Sequence, residues 1–200
     1  MTINITDMLD SILQSLSRID HVKPSDIPDI NLYMDQVTTF MDAQLKASKR
    51  YPDDKILTKT MINNYAKNNL LPPPLKKKYS KEHVLVLIFI YYFKSILSIK
   101  DIETLLKPLL DKYFNSKNDI DLKSIYEEVF SMEESRVELL KQDIVHAYQT
   151  ASKTFTEAPK QDQEFLQLFS FICALSFDVY IKKQLIERLI DQLPPYPGDA

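Results

Sequence analysis

Apolar residues recur at helical spacing through most of the chain, and the breaks in that period divide it into candidate helices. Met8, Leu9, Ile12, Leu13 and Leu16 share one face behind Thr6, a candidate N-cap. Lys23-Pro24 and Pro28 end that segment, so residues 1–30 read as a docking helix and a linker. Leu32, Tyr33, Val37, Phe40, Met41 and Leu45 predict a helix over 31–48, closed by the turn Tyr51-Pro52-Asp53-Asp54. Thr58 caps a short helix over 59–68 that turns Met61, Ile62, Tyr65 and Ala66 inward and Lys59, Thr60, Asn63, Asn64 and Lys67 outward. Asn69 can take the left-handed conformation that ends it, and Pro72-Pro73-Pro74 prevents any resumption. Ser80 caps the next helix, to about Ile96, and Ser98 with Asp101 predicts a capping box opening a helix over 99–113.

Asn115 to Asp119 interrupts the pattern. Beyond it, Leu122, Ile125, Tyr126, Val129, Val137, Leu140, Ile144, Tyr148 and Ala151 predict one long helix from Asp121 to Phe155, about 50 Å at 1.5 Å per residue. Glu127, Glu128, Glu133, Glu134 and Glu138 make its solvated face. A last helix, over 161–192, is apolar almost all round between Phe165 and Ile181, which predicts a centrally buried element. The expected fold is all-α, with a short two-stranded wing near Leu71 to Tyr79. The expected divisions are 1–30, 31–114, a C-terminal helical half over 115–193, and a tail over 194–200.

Composition narrows the function. With 44% hydrophobic and 26% charged residues the chain can bury a core. The one glycine is Gly198, so turns that need positive φ, tight hairpins above all, are expected to be rare or to fall to asparagine. The one cysteine, Cys173, excludes an internal disulfide and fits a reducing cytosol. Residues 1–16 lack a basic leader, and the apolar run Val84 to Phe93 is ten residues long where a membrane span needs about 20. A cytoplasmic protein with no membrane partner is expected. His21, His83 and His146 show no ligand spacing, and no phosphate loop or nucleophile-base arrangement is evident, so neither metal, cofactor nor catalysis is expected.

Charge supplies the sharpest signal. Between Lys46 and Lys81 ten basic residues face two acidic ones, while the whole chain carries −3. That excess surrounds the short helix over 59–68, whose two faces suit a recognition helix: one to hold it on a scaffold, one to enter a major groove. Asparagine can pair bidentately with adenine, and lysines on a following loop suit phosphates. Thr58, Lys59, Thr60, Asn63, Asn64 and Lys67, with Lys76, Lys77, Lys78 and Tyr79, are therefore the candidate DNA-contacting residues. Tyr65 and Tyr79 fit core or hinge positions better than base-stacking ones.

Leu57-Thr58 through Tyr65, then Asn69-Leu70-Leu71-Pro72-Pro73 and Lys77-Lys78-Tyr79-Ser80, resembles the winged helix-turn-helix domain of MerR-type regulators. Val84, Leu87 and Ile90, and Leu97-Ser98-Ile99 with Ile102, Leu105 and Leu106, extend the likeness to about a quarter of the chain. The resemblance places Thr58, Lys59, Asn63, Asn64 and Tyr65 on a recognition helix and Lys77 and Tyr79 on a wing. Asn63 stands where that family usually has arginine, and Asn64 where it has tyrosine. The chain also resembles an uncharacterised bacterial family of YkrK-like proteins of unknown function, through Leu32 to Gln36 and Met61 to Tyr65.

The expected function is that of a sequence-specific transcription regulator bound to double-stranded DNA, with the C-terminal half serving as the dimerisation or sensing half of a homodimer. Tyr148, Phe165, Phe169, Cys173 and Phe177 are the candidate lining of a pocket for a small-molecule or protein effector, with Asp178 and Tyr180 beside it. The competing expectation is a helical adaptor for another protein with a degenerate DNA-binding domain. A small-molecule-binding enzyme in the C-terminal half is the third.

Overall fold

The computed structural model describes residues 5–16, 21–116 and 118–194, excepting the side chains of 5–7, 15–16 and 133–135. These residues are mostly helical, with a single two-stranded sheet among them. Contacts divide the chain into two compact units, one of residues 20–131 and 187–200, the other of 1–19 and 132–186.

In the first unit, strand β1 (Leu32–Tyr33) leads into helix α2 (Met34–Gln44), followed by α3 (Lys59–Lys67), strand β2 (Lys78–Tyr79), α4 (Lys81–Phe93), α5 (Ile99–Tyr113) and α6 (Leu122–Ser131). Helix α4 is the centre. Its residues from His83 to Ile90 are all buried, because a run apolar on every side can only be satisfied by neighbours on every side. Around it, Phe89, Tyr126 and Phe130 form an aromatic cluster with centroids 4.3–5.7 Å apart. The buried Tyr126 hydroxyl donates to the Val22 carbonyl at 2.7 Å, which ties the start of the unit to α6. Such a bond spares a buried phenol its desolvation penalty.

The caps predicted at Thr58, Ser80 and Ser98 are present. Thr58 Oγ1 accepts from the Met61 amide at 3.2 Å, and Ser98 and Asp101 exchange amide and side-chain bonds at 3.1 Å each. The α4 cap uses an unexpected partner: the Ser80 amide donates to His83 Nδ1 at 3.0 Å. His83 is thus the acceptor at the third helical position, where glutamate or glutamine is usual.

The wing pairs differently from the expectation. Instead of two strands within 71–79, β2 pairs antiparallel with β1, Leu32 opposite Tyr79 and Tyr33 opposite Lys78. Consequently the helix expected from residue 31 starts at Met34. Within the wing segment only a single bridge, Leu75 to Lys78, closes the turn.

In the second unit, α1 (Ile5–Leu16), α7 (Glu133–Ala151) and the first part of α8 (Lys160–Asp191) bury Leu9, Ala151 and Phe171 together, with Leu13, Ile144, Tyr148, Leu168 and Leu175 against them. Thr6 already lies inside α1, so it is not the N-cap expected there. Two other expectations are corrected. The single helix over 121–155 is two, α6 and α7, parted at Met132, and Val129 and Leu140 on its predicted stripe are exposed. The stripe serves two cores, Leu122 and Tyr126 one and Ala151 the other. Nor is α8 centrally buried: residues 176–182 are exposed without exception. Gln167 on its inner side reaches the carbonyls of Ser152 and Thr154 at 2.9 and 3.0 Å.

Candidate nucleic-acid interface

Helix α3 turns two chemically opposed sides outward and inward. Ile62 and Tyr65 are buried, whereas Thr60, Asn63, Asn64 and Lys67, at the i, i+3, i+4, i+7 spacing of one helical face, are exposed, as is Lys59. At its C-terminus Asn69 adopts φ 56° and the Leu70 amide donates to the Tyr65 carbonyl at 2.9 Å, a six-to-one Schellman closure. Leu70 and Leu71 then anchor the chain in the core before the prolines carry it out to the wing. Helix α2 contacts both α3 and β2, so the same scaffold element supports the helix and the wing.

The wing tip is a tight turn with the Lys78 amide donating to the Leu75 carbonyl at 3.0 Å. Its central residues, Lys76 and Lys77, have φ 50° and 63°. Two positive φ values in a two-residue hairpin connection are the mark of a type I′ turn, normally filled by Asn-Gly or Asp-Gly. Lysine there is held against its preference, at roughly 1–2 kcal/mol per residue. Asparagine carries the positive φ at Asn69 and Asn115, as expected, whereas Lys76, Lys77 and Phe155 take it without being asparagine or glycine. Lys76, Lys77 and Leu75 are exposed, whereas Lys78 lies over the Tyr33 ring with Nζ 5.0 Å from its centroid.

The candidate residues thus separate into groups. Thr58 is occupied as a cap, and its side chain is a positioning group for α3. Tyr79 is 4% exposed, edge-on to His83, and burial raises its phenol pKa, so it is a core residue and not a DNA-contacting one. Lys59 pairs with Asp35. Similarly Lys49 meets Asp42 and Lys81 meets Asp29, both at 2.7 Å, the latter holding the Asp29 carboxyl below its usual range. These three acids lie outside the basic stretch in sequence, so the local excess is smaller in space than along the chain. The exposed pairs are worth little and can exchange for a phosphate.

His83 is the buried capping residue that spacing did not reveal. It is buried, in T-shaped contact with Phe114 at 4.8 Å, and burial lowers its pKa below 6.5. Because Nδ1 accepts from the Ser80 amide, Nε2 carries the proton, and it faces the Pro72 and Pro73 carbonyls without a well-formed bond to either. The one available signal was its place three residues after a capping serine.

Residues 22–129, more than half of the chain, match a family described as a domain of unknown function (DUF1836). The chain belongs to that family. The DUF1836 segment nearly coincides with the sequence-continuous part of the first unit, residues 20–131, so it contains α3, the wing and the buried α4 together. No curated protein and no solved structure matches the chain.

Outside the DUF1836 segment, the expected effector pocket is not assembled. Tyr148 is half-buried against Phe171 at 5.5 Å and Cys173 is half-buried, but Phe165, Phe169 and Phe177 stand in solvent. By length and composition α8 is long and apolar enough to cross a membrane, a property the reading of Val84 to Phe93 overlooked. Among the described residues no three His, Cys, Asp or Glu side chains gather as a metal site.

Proposed function

We propose that this protein is a DNA-binding regulator whose α3 enters the major groove while the Lys76-Lys77 tip contacts the phosphate backbone. The observation that carries the reading is the tip itself. Two lysines occupy turn positions where Asn-Gly would be more stable, so charge is kept there at a conformational cost, and strained backbone of this kind clusters at functional sites. The exposed face of α3 supports it, since Asn63 and Asn64 can hydrogen-bond base edges and Lys67 a base edge or a phosphate. Two subunits would read two half-sites about 34 Å apart.

A gel-shift titration of the full chain against duplex DNA at two salt concentrations tests this. Binding is expected to weaken steeply with salt, and Lys76→Ala with Lys77→Ala to reduce the logarithmic salt slope by about 1 for each phosphate contact removed. Asn63→Ala is expected to relax sequence preference with little change in that slope. Absence of duplex binding at low salt overturns the reading. A helical adaptor is the second reading, favoured by the apolar side chains that α8 leaves exposed and by the acids already paired with Lys49, Lys59 and Lys81.

A further inference from the structure

Helix α8 presents a seam that no described residue of its own chain covers. Phe165, Phe169, Ile172, Ser176 and Val179 follow one another at intervals of four, three, four and three residues, the spacing by which one helix meets another along a coiled-coil stripe. All five are exposed, the four apolar ones at 68%, 54%, 52% and 63%. Phe165 and Phe169 already stack on each other with centroids 6.4 Å apart. At the narrow middle of the seam, the Ser176 hydroxyl donates to the Ile172 carbonyl of its own helix at 2.8 Å, so it can be covered without losing a partner. The opposite side of this part of the helix is committed, Phe171 to the core and Gln167 to the α7 C-terminus.

We propose that α8 pairs antiparallel with α8 of a second copy of this chain, centred between Ile172 and Ser176. Three observations select that occupant. The four apolar side chains of the seam, with Tyr180 on its flank, expose roughly 400–600 Å², taking about 150–250 Å² for each complete aromatic side chain. On an ordinary monomer a patch of that size is the largest one and often an interaction site. Charge sets the direction: Asp162 and Glu164 stand at one end of the seam and Lys182 and Lys183 at the other. Antiparallel pairing brings acid beside base, whereas parallel pairing sets like charges together. A bilayer fits less well, because Asp178 lies inside the apolar stretch that would have to cross it, where an ionised side chain is costly.

The pairing supplies the two-fold that the DNA reading calls for, but its test needs no DNA, so either can fail alone. Sedimentation of the full chain, 23.4 kDa as a monomer, is expected to show a dimer. Phe169→Glu with Ile172→Glu is expected to raise the dimer dissociation constant at least about 100-fold while far-UV circular dichroism stays unchanged. These side chains are exposed, and the milder Ile172→Ser guards against misfolding. On a Cys173→Ser background, Ile172→Cys with Ser176→Cys is expected to cross-link two chains on oxidation, whereas Phe165→Cys alone is not. A monomer at high concentration overturns the proposal, as does a dimer indifferent to the seam substitutions or cross-linking through Phe165→Cys. Flotation of monomeric protein with phosphatidylcholine and phosphatidylglycerol vesicles overturns it too.

Discussion

Helices α4 and α8 are both apolar around most of their circumference, and they meet opposite fates. In α4 the eight residues from His83 to Ile90 are buried. In α8 the seven residues 176–182, among them Phe177, Val179, Tyr180 and Ile181, are exposed. Apolar composition therefore states that a helix gains by being covered, not what covers it. For α4 the cover is supplied by α6 and its neighbours in the same unit. For α8 no described residue covers 176–182, and exposed apolar surface gathered in this way is the kind that marks an interaction site.

The largest test of the contrast is a pair of truncations. Ile88→Ala, in the fully buried helix, is expected to cost about 2–5 kcal/mol in urea unfolding of dilute protein. Phe177→Ala in α8 is expected to stay within about 0.5 kcal/mol. Equal losses would show that α8 is covered within the single chain.

Next in size is the wing tip. Replacing Lys76-Lys77 by Asn-Gly removes the left-handed cost and is expected to stabilise the fold by at least about 1 kcal/mol, while weakening duplex binding. Destabilisation would mean that the lysines make a structural contribution and the charge argument would fall. Thr58→Ala is expected to cost about 1 kcal/mol by freeing the Met61 amide, measured by the same unfolding.

The smallest effect is that of pH. The folded His83 pKa lies below its unfolded value of 6.5, because burial penalises the imidazolium. The unfolded chain then binds the proton more tightly, so the stabilising share is complete above about pH 6.5 and is lost as pH falls below it toward the folded pKa. Protonation also removes the Nδ1 acceptor from the α4 cap. His83→Gln keeps an acceptor at that position and removes the titration. Unfolding between pH 7.5 and pH 5 is expected to be steeper in wild type than in this variant. Identical slopes would show that the cap does not titrate.

What the amino-acid pattern revealed depended on how locally each feature is encoded. The limits of α3 follow from Thr58 and Asn69, which act on backbone within a few residues of themselves, and the inward position of Ile62 and Tyr65 follows from helical spacing. The β1–β2 pairing was not legible: two residues on each side, far apart in sequence, leave no alternating pattern. The break at Met132 was hidden because the apolar period carries through it with little change while the core being covered changes. Of the candidate DNA-contacting residues, Asn63, Asn64 and Lys67 were placed on the exposed face by spacing alone. The burial of Tyr79 and the Lys59–Asp35 pair depend on tertiary neighbours that no local pattern records.

Both units are interrupted in sequence. The first begins near residue 20 and is completed by residues after 186, where Ile190 is buried, while the second combines α1 with residues beyond 131. A ribosome makes the chain from one end, and a domain usually folds once its last residue has emerged. Here α1 is made long before the helices it packs against, and α4 before the final turn of α8. Both cores therefore wait for α8, which contributes Phe171 to one and Ile190 to the other.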